Sequence, residues 1–249
     1  MQKIVLITGA GRPTGLGFNT ARLLAQQGYN VILTARQAGQ AQARAEELRA
    51  EGLNVTPLDL DIADVESVRQ AVEFVQQTYG KLDVLVNNAA IMAVTPVLDF
   101  RTDLDFVQNQ FNTNLIGTWR MAQEFYPLLK AAGKGRVVNV SSSAGSYWES
   151  GFGLVNNPGL EMRQFGEDVP IGSYSLTKLA INGLTLKLAQ DFKKDGISVN
   201  AVCPGLVETY PPSPGRSPEE GARSIVWAVT QPDDSLTAGF FRDGKRLPW

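Results

Sequence analysis

The chain has 249 residues, 43% hydrophobic and 19% charged, with a formal net charge of −2. This is ordinary globular composition, which argues against disorder, and the near-zero charge argues against a nucleic-acid or anionic-membrane partner. One cysteine and no histidine exclude an intramolecular disulfide, a Ser-His-Asp triad, a Cys-His pair and a His-ligated zinc site, so acid–base chemistry falls to Tyr, Lys, Asp, Glu or water.

The first ten residues carry too short an apolar run for a signal peptide and lead into a glycine loop. No apolar run approaches the ~18 residues that span a bilayer, so a soluble cytoplasmic protein is expected. Apolar runs of strand length alternate with segments of helical period. In chain order these are strand Ile4–Thr8, helix Gly15–Gln27 ended by Gly28, strand Val31–Ala35, exposed helix Gln40–Ala50, strand Val55–Leu58, helix Val65–Thr78 and strand Leu82–Val86. A long helix from Asp103 to Ala131 follows, then strand Arg136–Val140, helix Ser173–Lys194, strand Ile197–Ala201, helix Pro218–Val229 and a short seventh strand, Gly239–Phe241. The alternation predicts an α/β fold: a single doubly wound parallel-sheet Rossmann domain over residues 1–249, with the ligand at the carboxyl ends of its strands. Two segments are irregular, Ser143–Gly172, an insertion before a tyrosine-bearing helix, and Tyr210–Pro218, rich in proline.

Thr8-Gly9-Ala10-Gly11-Arg12-Pro13-Thr14-Gly15-Leu16-Gly17 joins the first strand to the first helix, with four glycines in nine residues. Glycines let the backbone turn sharply and approach a pyrophosphate, and the helix start offers N–H donors. This predicts a dinucleotide site. The second strand ends Thr34-Ala35-Arg36, without the carboxylate that would bind a ribose 2′-OH. Arg36, joined by Arg12, suits a 2′-phosphate instead, which selects NADP(H).

Tyr174 and Lys178 stand four apart on one helix face, an arrangement in which the ammonium favours the phenolate and tunes Tyr174 as proton donor or acceptor. Tyr126 and Lys130 repeat the spacing away from any strand's carboxyl end and read as structural. Ser141-Ser142-Ser143 directly follows the fifth strand, where a hydroxyl reaches a substrate oxygen.

Taken together these residues resemble the short-chain dehydrogenase/reductase superfamily over nearly the whole chain. The resemblance rests on the glycine loop, Asp61, Asn87-Asn88-Ala89-Ala90, Asn114, Ser142, the Tyr174/Lys178 pair and Cys203-Pro204-Gly205-Leu206-Val207-Glu208-Thr209. Val31–Arg36, Leu82–Ala90 and Ser217–Ala222 look most like the NADPH-linked carbonyl reductase branch. The resemblance implies Tyr174 as general acid/base, Lys178 on the nicotinamide ribose, Ser142 orienting a carbonyl and Asn114 anchoring a relay water. It also implies Gly9, Gly11, Arg12, Gly15, Leu16 and Gly17 around the pyrophosphate and Arg36 at the 2′-phosphate. Asp61 and Ile62 would flank the adenine, Asn88, Ala89 and Ala90 the adenosine ribose, and Pro204, Gly205, Val207 and Thr209 the nicotinamide. No metal is implied.

Three features depart from the family pattern. The loop is two residues longer if Gly9, Gly15 and Gly17 are the matching glycines, or of normal length if Gly11 takes the first place. Ala90 stands where the family has glycine. Ser142 and Tyr174 are 32 positions apart, wider than the family's common spacing, so the insertion covers an oligomer surface, walls the substrate or is passive. The expected activity is hydride transfer between NADPH and a ketone or aldehyde. A monomer and a homo-oligomer are both open. A silent NADP(H)-binding scaffold is the alternative from another class, and a serine hydrolase is disfavoured by the absence of histidine and of a Gly-x-Ser-x-Gly elbow.

Overall fold

The computed structural model describes residues 2–92, 103–158, 161–162, 169–170, 172–209 and 215–249. Ten strands and seven α-helices follow in the order β1 (Ile4–Ile7), α1 (Leu16–Gln26), β2 (Asn30–Ala35), α2 (Gln40–Ala50), β3 (Val55–Asp59), α3 (Val65–Tyr79), β4 (Val84–Asn87), α4 (Leu104–Phe111), α5 (Thr118–Ala131), β5 (Arg136–Val140), β6 (Glu161–Met162), β7 (Val169–Pro170), α6 (Gly172–Phe192), β8 (Ser198–Val202), α7 (Pro218–Thr230), β9 (Phe240–Arg242) and β10 (Lys245–Arg246).

Eight strands form one sheet in the order β10-β9-β8-β5-β4-β1-β2-β3, parallel except for β10. Successive side chains of a strand face opposite sides, and both sides are buried here. Val5 and Ile7 enter the core under α1, α2 and α7, while Ile4 and Leu6 enter the core under α3, α5 and α6. Helix ends carry their own signals. Asp64 caps α3 by accepting the N–H groups of Glu66 and Ser67, and Gly80 closes it in the left-handed conformation. Ser217 and Glu220 form a capping box on α7, with Pro218 in its first turn.

The fold expected from the sequence is present, with three differences. The main sheet has an eighth strand, because the chain turns back through Asp243 and Gly244, both at positive φ, and pairs Lys245 with Arg242. The expected long helix is interrupted by a π-helical turn, Asn112–Gly117, between α4 and α5. The insertion carries a small antiparallel ribbon, β6 with β7. Its first part is tied to the chain's end: Ser146 Oγ donates to the Pro248 carbonyl at 2.8 Å, and Glu149 pairs with Arg242 at 3.3 Å. Most of the proline-rich segment and part of the insertion, with Phe165 among its residues, lie outside the described residues. Among the described residues no helix is long and apolar enough to cross a membrane.

Candidate active site

The sheet order reverses between β1 and β4, and an open parallel sheet offers its ligand crevice at such a point. The loops that follow the carboxyl ends of several strands meet there. The glycine loop leaves β1 through Thr8, whose Oγ accepts the N–H groups of Asn88 and Ala89, each at 2.9 Å. Gly9 takes φ +71°, and a Cβ on it would lie 2.7 Å from the Ala89 Cα. A Cβ on Gly17 would lie 2.6 Å from Asn88 Nδ2 and 2.8 Å from the Gly9 carbonyl, so α1 packs tightly beneath the turn. Gly15 is the N-cap of α1. Of the two registers open in the sequence, the backbone therefore takes the one with Gly9 at the turn, Gly15 at the helix start and Gly17 at the close packing.

The extra residues form a small projection. The Gly15 N–H donates to the Arg12 carbonyl at 3.0 Å, and Asn19 Nδ2 donates to the Pro13 and Gly15 carbonyls at 3.2 and 2.9 Å. The projection reaches across the crevice mouth, where the Thr14 hydroxyl donates to the Thr209 carbonyl at 3.4 Å.

A cleft of about 380 Å³ runs through these segments. Of the residues singled out in the sequence it is lined by Gly9, Gly11, Arg12, Gly15, Leu16, Arg36, Asp61, Ile62, Asn88, Ala89, Ala90, Tyr174, Lys178, Pro204 and Thr209. Gly17, Asn114, Ser142, Gly205 and Val207 stand behind or beside it rather than on its lining. Ser141 of the serine triplet lines it too, and the sequence reading missed Gln37 and Gln40, which line the end beside Arg36, and Ile91, Met92 and Thr113 toward the other. Their signal was positional only: each lies within a few residues of a loop already singled out.

Asp61 does not cap a helix, since Asp64 does; its Oδ1 accepts the Ala63 N–H at 2.9 Å and shapes the turn after β3. Asn114 is fully buried in the π-helical turn. Its Oδ1 accepts the Ile91 N–H at 2.7 Å, and its Nδ2 donates to the Ile91 carbonyl and to Thr177 Oγ1 at 3.0 and 3.1 Å. A π-turn widens the helix by one residue, and here it aims an amide between the β4 loop and α6.

Tyr174 and Lys178 occupy consecutive turns of α6, with Lys178 Nζ 5.4 Å from the Tyr174 ring centroid. Lys178 is 2% exposed and donates to the Val140 carbonyl at 2.7 Å. Burial lowers its pKa from 10.5 to about 8. The sequence expectation was a tyrosine drawn down by this cation. Burial acts in the other direction and holds the Tyr174 phenol above its ordinary value. Ser142 caps the short 3₁₀ turn Ser143–Gly145, its Oγ accepting the Ala144 N–H at 3.2 Å, which leaves its proton available for donation. The Ser141 hydroxyl is engaged instead with Asn182 Oδ1 at 2.7 Å. Tyr126 and Lys130, the second pair of the same spacing, both bind Asp195, with Lys130 at 2.9 Å, and neither lines the cleft.

Residues 3–213 match the family model described as short chain dehydrogenase. The chain is 34% identical to carbonyl reductase (NADPH) 1 of Sus scrofa, over 99% of this chain and 94% of that protein. It is 36% identical to a short-chain dehydrogenase of Penicillium roqueforti, over 92% of this chain and 88% of the other. In fold it resembles a solved putative short chain dehydrogenase from Escherichia coli CFT073, with TM-score 0.79, 24% identity and coverage of 98% and 96% of the two chains. The chain therefore belongs to the short-chain dehydrogenase/reductase superfamily, on its carbonyl reductase branch, and is an oxidoreductase.

Proposed function

We propose that the chain, acting as one domain over residues 1–249, is an NADPH-dependent reductase of ketones or aldehydes, reversible toward the alcohol. One observation carries the reading: a single cleft is lined at one end by the glycine loop with Arg12 and Arg36, and at the other by Tyr174 and Lys178.

The residues fit a nicotinamide dinucleotide. No side chain caps α1 and no acid stands in its first turn, so its first N–H groups are available to a pyrophosphate. Arg12 and Arg36 are exposed at the adenosine end, where two cations match a 2′-phosphate. Relatives named for NADPH support the same choice. Asp61 and Ile62 would flank the adenine, Asn88, Ala89 and Ala90 the adjoining ribose, Lys178 the nicotinamide ribose, and Pro204, Gly205, Val207 and Thr209 the nicotinamide itself. When bound, the dinucleotide supplies the hydride.

Tyr174 does the proton chemistry. A phenol raised above its ordinary value stays protonated at neutral pH and donates to a carbonyl oxygen as negative charge develops there. The Ser142 hydroxyl donates to the same oxygen and steadies that charge. Lys178 contributes a cation beneath the ring. Asn114 would anchor a water in the proton relay, as the resemblance implies, while its side chain holds Ile91 and Thr177 in place.

The test follows loss of reduced-nicotinamide absorbance with a panel of ketones and aldehydes, using NADPH and NADH in parallel. The expected result is turnover with at least one carbonyl and a clear preference for NADPH. Tight NADPH binding with no turnover across the panel would instead describe a scaffold.

A further inference from the structure

Pro204 and Thr209 line one wall of the cleft, and the segment between them is held from outside. Gly205 takes φ +79°, and a Cβ on it would lie 2.9 Å from Arg216 Nε and 3.1 Å from Cζ, so the guanidinium lies directly against it. Nε donates to the Pro204 carbonyl at 2.6 Å, and Nη2 donates to the same oxygen. Nη1 reaches both carboxylate oxygens of Asp243, at 3.0 and 2.9 Å. The backbone of Arg216 grips the same segment: its N–H donates to the Leu206 carbonyl and its carbonyl accepts the Glu208 N–H, each at 3.0 Å. Asp243 is itself fixed, its N–H donating at 2.9 Å to Ser224 Oγ, which donates to the Cys203 carbonyl at 3.2 Å. Arg216 is not among the residues lining the cleft.

We infer that Arg216 is a positioning residue for the cofactor: it sets the Pro204–Thr209 wall against which the nicotinamide end lies, and it does so without touching the ligand. The inference rests on the dinucleotide reading of the cleft. A planar fork suits the task because it serves the Pro204 carbonyl and the Asp243 carboxylate at once, which a point-like ammonium does less well. A merely structural surface ion pair would be worth little and would leave cofactor affinity alone.

The experiment measures the NADPH dissociation constant by fluorescence titration, with kcat, its pH profile and Tm, for wild type, Arg216→Met, Arg216→Lys and Asp243→Asn. Arg216→Met is expected to weaken NADPH about tenfold, because the wall against which the nicotinamide end lies loses its side-chain anchor. Arg216→Lys is expected to recover part of that, and Asp243→Asn to show a smaller loss. The pH profile of kcat should not move in any of them, because Tyr174 and Lys178 are untouched. Wild-type NADPH affinity in Arg216→Met overturns the inference, whatever its Tm. Should Arg216→Met fail to fold, unchanged affinity in both Arg216→Lys and Asp243→Asn overturns it equally. A wild type that binds no NADPH overturns the cofactor reading, and this inference with it.

Discussion

Replacing Lys178 by methionine should make the protein more stable and less active. The ammonium is buried, and its pKa falls from 10.5 to about 8 because burial penalises the charged form. A shift of that size corresponds to roughly 3 kcal/mol against the folded state when both states are protonated. Methionine has nearly the same volume and length and carries no charge. Losing the charge-assisted bond to the Val140 carbonyl returns about 2 kcal/mol. The net gain at pH 7 is therefore about 1 kcal/mol. The sign with pH follows from the depressed pKa. Below about pH 8 both folded and unfolded chains hold the proton, and the cost is fully present. Between about 8 and 10.5 only the unfolded chain holds it, so wild-type stability rises with pH and the methionine advantage fades. Urea denaturation of both proteins at a series of pH values measures the gap directly. A methionine variant that is less stable at pH 7, or a gap that does not change with pH, refutes the reasoning. A lysine kept at such a cost marks a site where function opposes stability.

If the proposed cofactor reading holds, Arg36→Ala should raise KM for NADPH far more than KM for NADH, because that reading sets the exposed guanidinium at the 2′-phosphate; equal rises in steady-state kinetics would remove that assignment. Gly17→Ala should lower stability by about 1–3 kcal/mol in urea denaturation, because the new methyl meets the Gly9 carbonyl at 2.8 Å and the Ala10 Cα at 2.9 Å, both backbone atoms with little room to yield. The glycine loop would shift with it, so NADPH affinity should fall in the same variant, whereas Gly28→Ala, at a glycine whose surroundings are open, should leave that affinity unchanged.

Much of the fold was legible because its signals are local and repeated. Strands such as Ile4–Ile7 are short apolar runs, and helical segments between them leave only a parallel sheet. The π-turn at Asn112–Gly117 was not legible, since its sequence has helical period on both sides; within it Asn114 bonds to Ile91 and Thr177, contacts far apart in the chain. The strand β10 escaped because two residues carry no period, although Asp243-Gly244 signalled its turn. At the site, residue types gave the glycine loop and the Tyr174/Lys178 pair. They did not give the register of the loop, which depends on Asn88 and Ala89 arriving from β4. Nor did they give the rise of the Tyr174 pKa, because burial is a property of the whole fold and not of a four-residue spacing. Arg216 was invisible for the same reason: nothing in the sequence places it on the Pro204 carbonyl.

The most direct measurement compares wild type with Tyr174→Phe for NADPH binding and for carbonyl turnover. Wild type should consume NADPH and yield one alcohol per cofactor oxidised. The variant should fold and bind NADPH with similar affinity while turnover falls about 10²–10⁴-fold, the usual worth of a positioned proton donor. A variant that reduces carbonyls at the wild-type rate would contradict the placement of the proton at Tyr174.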